Sequence, residues 1–138
     1  MSSSLDVLKS SFAKIKPQAE AFTASFYDNL FNNYPEIKTL FAKTDMRRQR
    51  THLIRALTVV IDNISTPKQI EEALKELGAR HVNYGVVEEY YPLFGESLLK
   101  TFKSYLKEDW TPEVEKAWKN AYQLVTNIAL RAMVRTVI

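Results

Sequence analysis

Apolar side chains recur every three to four positions along nearly the whole chain, with polar residues between them. This is the spacing of helices that turn one face to a core. Leu5, Leu8, Phe12 and Ile15 form the first stripe and predict a helix over roughly 5–16, capped by Ser4. Pro17 lacks a backbone donor and is expected to open a second helix, running to about residue 34 with Phe22, Phe26, Tyr27, Leu30 and Phe31 inward. Pro35 begins a short turn of helix that ends near Leu40 and Phe41. Residues 42–45 read as a loop, with Thr44 or Asp45 capping a helix over roughly 46–64. Its stripe is Leu53, Leu57, Val60 and Ile64, widened by Ile54 and Ile61, and Gln49 lies one turn before Leu53 on the same face.

Ser65-Thr66-Pro67 is a cap followed by proline, a restart signal, for a helix carrying Ile70, Leu74 and Leu77 up to His81. Residues 85–91 turn a corner. Pro92 opens a helix through Leu98, Leu99, Phe102 and Leu106. Thr111-Pro112-Glu113 starts the last, with Val114, Trp118, Ala121, Val125, Ile128 and Ala132 inward. The expectation is an all-α chain of about seven unequal helices forming one domain over 1–138, without strand alternation, repeat or linker. Helices this uneven fit poorly in a four-helix bundle.

Composition narrows the chemistry. Only 3 glycines and 5 prolines punctuate 138 residues, and 46% are hydrophobic, enough for a substantial core. The absence of cysteine excludes disulfides, thiolate catalysis and Cys-ligated zinc. A net charge of +3 is too modest to indicate nucleic acid. Met-Ser-Ser-Ser-Leu-Asp has neither a basic nor an apolar leader region, and no apolar run is long enough to span a bilayer. A cytoplasmic protein without membrane attachment is expected.

Two histidines, His52 and His81, are present. His81 closes an amphipathic helix before Gly85, where a neutral imidazole is either a hydrogen-bonded structural residue or a metal ligand. The order of several fragments decides between these. Ser25-Phe-Tyr27-Asp-Asn-Leu-Phe31 is followed by Tyr34-Pro35-Glu36 and Leu40-Phe41. Then come Leu77 to His81, Tyr91-Pro92-Leu-Phe-Gly95-Glu-Ser-Leu-Leu99, and Ala117-Trp118 with Ala121-Tyr122. Together they resemble the bacterial single-domain globins, which are similar to the haem module of flavohaemoglobins. The resemblance covers nearly the whole chain.

It implies a globin fold around a haem b (iron protoporphyrin IX) pocket. His81 is then the proximal iron ligand, and the Leu77 carbonyl orients its ring. Phe41 stacks on the porphyrin. Tyr27 and Gln49 are distal residues, and Leu53 walls the same side. Arg80, Val86, Tyr91 and Phe94 complete the cofactor contacts, Arg80 toward a propionate. The implied ligands are O2, CO and NO, bound reversibly for storage, delivery or sensing. A phenol O–H and an amide N–H would favour O2, which becomes partly negative on ferrous iron, over the less polar CO.

Two departures bear on an enzymatic alternative, nitric oxide dioxygenase-type detoxification. Flavohaemoglobins pair the proximal histidine with a late glutamate; alignment from Trp118 puts Met133 there, which cannot accept that bond, though Tyr91 is retained. No Gly-x-Gly-x-x-Gly loop occurs, so turnover would need an external reductase. His52 reads as solvated or propionate-facing, or else as a sixth iron ligand after a helix shift. Arg47, Arg48, Arg50 and Arg55 read as a solvated face with one or two reaching propionates. Trp118 and Tyr122 read as core, and the chain as a monomer or weak homodimer.

Overall fold

A computed structural model describes residues 4–66, 68–69, 71–72 and 90–137, with side chains in the last helix described through Asn127. Helix α1 spans Ser4–Ile15, α2 Ala19–Asn33, α3 Pro35–Lys38, α4 Met46–Asn63, α5 Tyr91–Leu106 and α6 Pro112–Val137. Tight 3-10 turns occupy Lys16–Gln18, Thr39–Phe41 and Lys107–Asp109. The expected helix leading to His81 lies outside the described residues.

Local chemistry explains the boundaries. Pro17, expected to open α2, instead sits in the 3-10 turn, because Gln18 leaves the helical region at φ −119°, ψ 31° and delays α2 to Ala19. At its other end, Tyr34 leaves the helical region at φ −135°, ψ 76°, since that region is disfavoured for the residue before a proline. Of the two caps expected for α4, Asp45 is used: its carboxylate accepts from the Arg47 and Arg48 amides at 3.0 and 3.4 Å. The Thr44 amide instead bonds back to the Phe41 carbonyl at 3.0 Å. Thr111 Oγ1 caps α6 by accepting from the Val114 amide at 3.2 Å.

The stripes read from the sequence meet in one core. Phe22, Phe102, Ile15, Leu30 and Ile37 are fully enclosed. Phe102 of α5 packs against Phe22 of α2 at 4.8 Å between ring centroids and stacks on Trp118 of α6 at 4.2 Å. Trp118 Nε1 donates to Ser11 Oγ of α1 at 2.8 Å, closing the first helix onto the last. A narrow polar seam joins α2 to α5, where the Ser25 and Tyr105 hydroxyls lie 2.7 Å apart. This frame fixes α2 and α4 against each other, and the site lies between them. Among the described residues, no helix is long and apolar enough to cross a membrane.

Candidate functional site

The wall of the site starts on α2. Tyr27 is 5% exposed and ringed by aromatics. Its centroid is 4.8 Å from Phe26, 5.8 Å from Phe31 and 5.9 Å from Phe41. Phe41 reaches this cluster because Pro35 restarts the chain in α3 and the Thr39–Phe41 turn folds it back. Phe31 and Phe41 are themselves 5.5 Å apart.

Into this apolar wall α4 delivers one polar side chain. The Asp45 cap sets the helix start, and the Gln49 amide bonds to the Asp45 carbonyl at 3.0 Å. From there Gln49 Nε2 donates to Tyr27 Oη at 3.1 Å. One turn on, Leu53 is half-buried against the core. Burying an unpaired amide or phenol costs about 1–3 kcal/mol, so the contact stabilises both groups in a place that would otherwise exclude them. A phenol oxygen has an O–H as well as accepting lone pairs, and a primary amide has two N–H donors. The pair is therefore hydrogen-bonding chemistry held in an aromatic setting.

The start of α5 forms a second tight region. Tyr91 is buried, and Phe94 is half-buried against the core. The Tyr122 hydroxyl donates to the Tyr91 carbonyl. Gly95 makes this possible: a Cβ there would lie 2.8 and 2.9 Å from Tyr122 Cδ1 and Cζ, and nearer still to Cε1. Tyr122, read from the sequence as plain core, is thus an anchor for the residues that open α5. The available signal was Gly95 itself, since a glycine inside a helix costs about 1 kcal/mol against alanine and marks a close approach.

Burial pushes the Tyr91 phenol up to about 12 and raises Tyr122 in the same direction, again chiefly through burial. Above the ordinary tyrosine value the unfolded chain gives up these protons while the folded chain keeps them. Stability is therefore fully present below about pH 10 and is lost as pH rises toward the folded value, at up to about 1.4 kcal/mol per pH unit per tyrosine. Urea unfolding at pH 8, 10 and 11 should show a falling midpoint, and Tyr91→Phe should flatten part of the decline. A midpoint independent of pH over that range would mean that both phenols ionise as readily in the folded chain as in the unfolded one.

The structure thus brings Tyr27, Gln49 and Phe41 together, with Leu53 one turn along, and sets Tyr91 and Phe94 on α5. His52 does not join the Tyr27 cluster. It lines an open groove on the outer face of α4 with Arg47, Arg48, Thr51 and Arg55. Leu77, Arg80, His81 and Val86 lie outside the described residues, as does the Met133 side chain. Among the described residues no group of three or more His, Asp or Glu side chains could hold a metal ion.

Comparison with known proteins identifies the class. The globin family profile matches residues 24–129, and the chain belongs to the globin family. It is 30% identical over 125 residues to a flavohemoprotein of Bacillus subtilis, covering 89% of this chain and 31% of that protein. The chain thus spans about a third of the length of the flavohemoproteins that it matches. An uncharacterized globin-like protein of Aquifex aeolicus is 32% identical over 119 residues, covering 86% of this chain and 84% of its own. The structure is similar to a bacterial globin from Campylobacter jejuni, with TM-score 0.85, 26% identity, and 97% and 96% of the two chains covered. It is also similar to an engineered carbene transferase derived from a candidate nitric oxide dioxygenase of Rhodothermus marinus, at TM-score 0.86, 26% identity, and 97% and 93% coverage.

Family membership implies haem binding. The described side fits such a group: an aromatic wall for an apolar plate, and hydrogen-bonding atoms of Tyr27 and Gln49 within it.

Proposed function

We propose that this chain is a single globin domain over 1–138 that binds haem b and holds O2, and with less discrimination CO and NO, reversibly. The supporting observation is the 3.1 Å contact between Gln49 Nε2 and Tyr27 Oη inside the aromatic cluster. Haem, when bound, supplies a ferrous iron that takes up diatomic ligands. In this reading His81 is the iron ligand and the Leu77 carbonyl orients it. Arg80 faces a propionate, and Phe41, Val86, Tyr91 and Phe94 contact the porphyrin. Tyr27 and Gln49 hold hydrogen-bond donors toward a partly negative ligand, and Leu53 with the aromatic wall excludes water. Its role in this reading is storage, delivery or sensing, in the cytoplasm and as a monomer or weak homodimer.

A second reading is nitric oxide detoxification with electrons from a separate reductase. The flavohemoprotein relatives and the Rhodothermus marinus neighbour favour it. Sustained NO consumption driven by a reductase and a nicotinamide donor separates it from the first, since a single stoichiometric oxidation does not.

Titration with hemin tests the shared premise. A sharp Soret band saturating at one equivalent, shifting on reduction and again under CO, is the expected result. A polypeptide that gives only the broad spectrum of free hemin would end both readings.

A further inference from the structure

Helix α4 has two unlike faces. Leu57, Val60 and Ile61 are buried, and Gln49 reaches Tyr27. On the outer side Arg47, Arg48, Thr51, His52 and Arg55 line an open groove of about 430 Å³. Arg47 and Thr51 also border a second depression of about 350 Å³, between α4 and the start of α2, which adds Arg50, Ile54 and Glu20.

Three observations set this surface apart. First, the cations here are clustered and sparsely paired, although Asp45 and Glu20 lie among them. Lys14, Lys100 and Lys119 pair with Asp109, Glu96 and Glu115 at 3.1, 3.0 and 3.5 Å. Among the described residues the only ion pair on this face is Arg48 Nε with Asp45 Oδ2, at 4.0 Å. Second, Arg47 and Arg48 are the second and third residues of α4, where the helix's positive end disfavours cations and acids are the usual occupants. Third, all four are arginine, four of the seven in the chain, and arginine's weak hydration and planar donors suit interfaces better than lysine does. Like charges in the wrong helical turn are a standing local cost that an acidic partner would remove.

The partner's chemistry follows from scale and from the site. Arg47 to Arg55 spans about 12 Å of helix at ~1.5 Å per residue, more than one phosphate covers. His52 is the one aromatic ring lining either depression, and no Phe, Tyr or Trp joins it, which offers successive nucleic-acid bases no stacking platform. The helix that carries these arginines also carries Gln49, so a protein docked here is roughly one helix diameter, about 10 Å, from the Tyr27 cluster.

We propose that the arginine-lined outer face of α4 is the docking surface for an acidic, flavin-carrying electron donor. This rests on the haem reading above, because either version of it needs ferrous iron. In the step, the donor's reduced flavin gives up one electron and ferric iron takes it to become ferrous, with no bond made or broken.

The test uses the hemin-loaded protein and an Arg48→Glu/Arg55→Glu variant. Both positions are exposed, and glutamate at residue 48 suits the helix start, so folding should be retained. The probe is an acidic flavodoxin, oxidised for calorimetry and reduced for stopped-flow reduction of the ferric protein. At low salt the wild type should bind it, and the second-order rate should fall at least about tenfold as ionic strength rises to about 0.3 M. The variant should be about tenfold slower at low salt and nearly insensitive to salt. Reduction by free reduced riboflavin, assayed below the pKa of its N1 so that it carries no charge, should be equal in the two proteins.

No flavodoxin binding by the wild type, or equal flavodoxin rates for the two proteins, overturns the proposal. So does weaker hemin binding by the variant, which would assign the arginines to the propionates. Tighter binding of the wild type to anionic vesicles or duplex DNA than to flavodoxin also overturns it. Failure of the wild type to take up hemin at all would instead remove the reading beneath it.

Discussion

Tyr27→Phe should release O2 about 10- to 150-fold faster than the wild type. The range follows from one hydrogen bond to a charged acceptor, ~1.5–3 kcal/mol, at 1.4 kcal/mol per factor of ten. The substitution removes only the hydroxyl. The ring that packs against Phe26, Phe31 and Phe41 is retained, so the wall keeps its shape. The effect should depend on the ligand: CO, which accumulates less negative charge, should change its off-rate much less than O2. A second consequence comes from the observed contact. Gln49 Nε2 loses its acceptor at 3.1 Å and must turn toward the ligand or toward solvent, so Gln49→Leu in the Tyr27→Phe background should have a different effect than in the wild type. Stopped-flow displacement of O2 by CO reads both. An O2 off-rate unchanged in Tyr27→Phe would remove Tyr27 as a donor and leave it a core tyrosine satisfied by Gln49.

How far such a site is legible in a sequence depends on which distance carries the information. The helices were legible because their signals are local: stripes at three to four residues, Asp45 before α4, and Thr111-Pro112 before α6. Pro17 misled for an equally local reason, since a proline also suits a 3-10 turn and Gln18 decided the matter. Tyr27 and Gln49 are 22 residues apart on different helices. Periodicity puts each on an inward face but cannot slide two helices into register, so their common distal side was expected only through the resemblance, and their hydrogen bond to each other was not expected at all. The Ser11–Trp118 bond spans 107 residues and left no trace in the pattern, because a serine in an apolar stripe reads as an interruption. The Tyr122 anchor was missed for a similar reason: an aromatic at helical spacing counts as core until its hydroxyl has an address. The outer arginines were read as a solvated face with one or two reaching propionates, and what singles them out is how few acids pair with them in space, which no linear spacing records.

Trp118→Ala should destabilise the folded protein by about 3–5 kcal/mol, the range for removing a buried large aromatic. Set against a typical total of roughly 5–15 kcal/mol, that is enough to leave the variant partly unfolded near 40 °C. Three contacts disappear together. Trp118 is 3% exposed, stacks on Phe102 at 4.2 Å, meets Phe12 of α1 at 6.4 Å, and donates to Ser11 Oγ. Two milder variants divide the loss. Trp118→Phe keeps most of the stacking and removes the donor, while Ser11 Oγ retains the Val7 carbonyl at 2.8 Å, so a loss of about 1 kcal/mol is expected. Ser11→Ala does the reverse and strands a buried N–H, so it should cost more, about 1–3 kcal/mol. That ordering is the discriminating observation in urea titrations of the hemin-loaded protein. If Ser11→Ala were harmless and Trp118→Phe severe, ring volume would be holding α1 to α6 and the hydrogen bond would be incidental. Because none of these side chains belongs to the Tyr27–Gln49 wall, the O2 off-rates of Trp118→Phe and Ser11→Ala should stay at the wild-type value while their unfolding midpoints move. The helix clamp and the ligand pocket would then be separable parts of the same core.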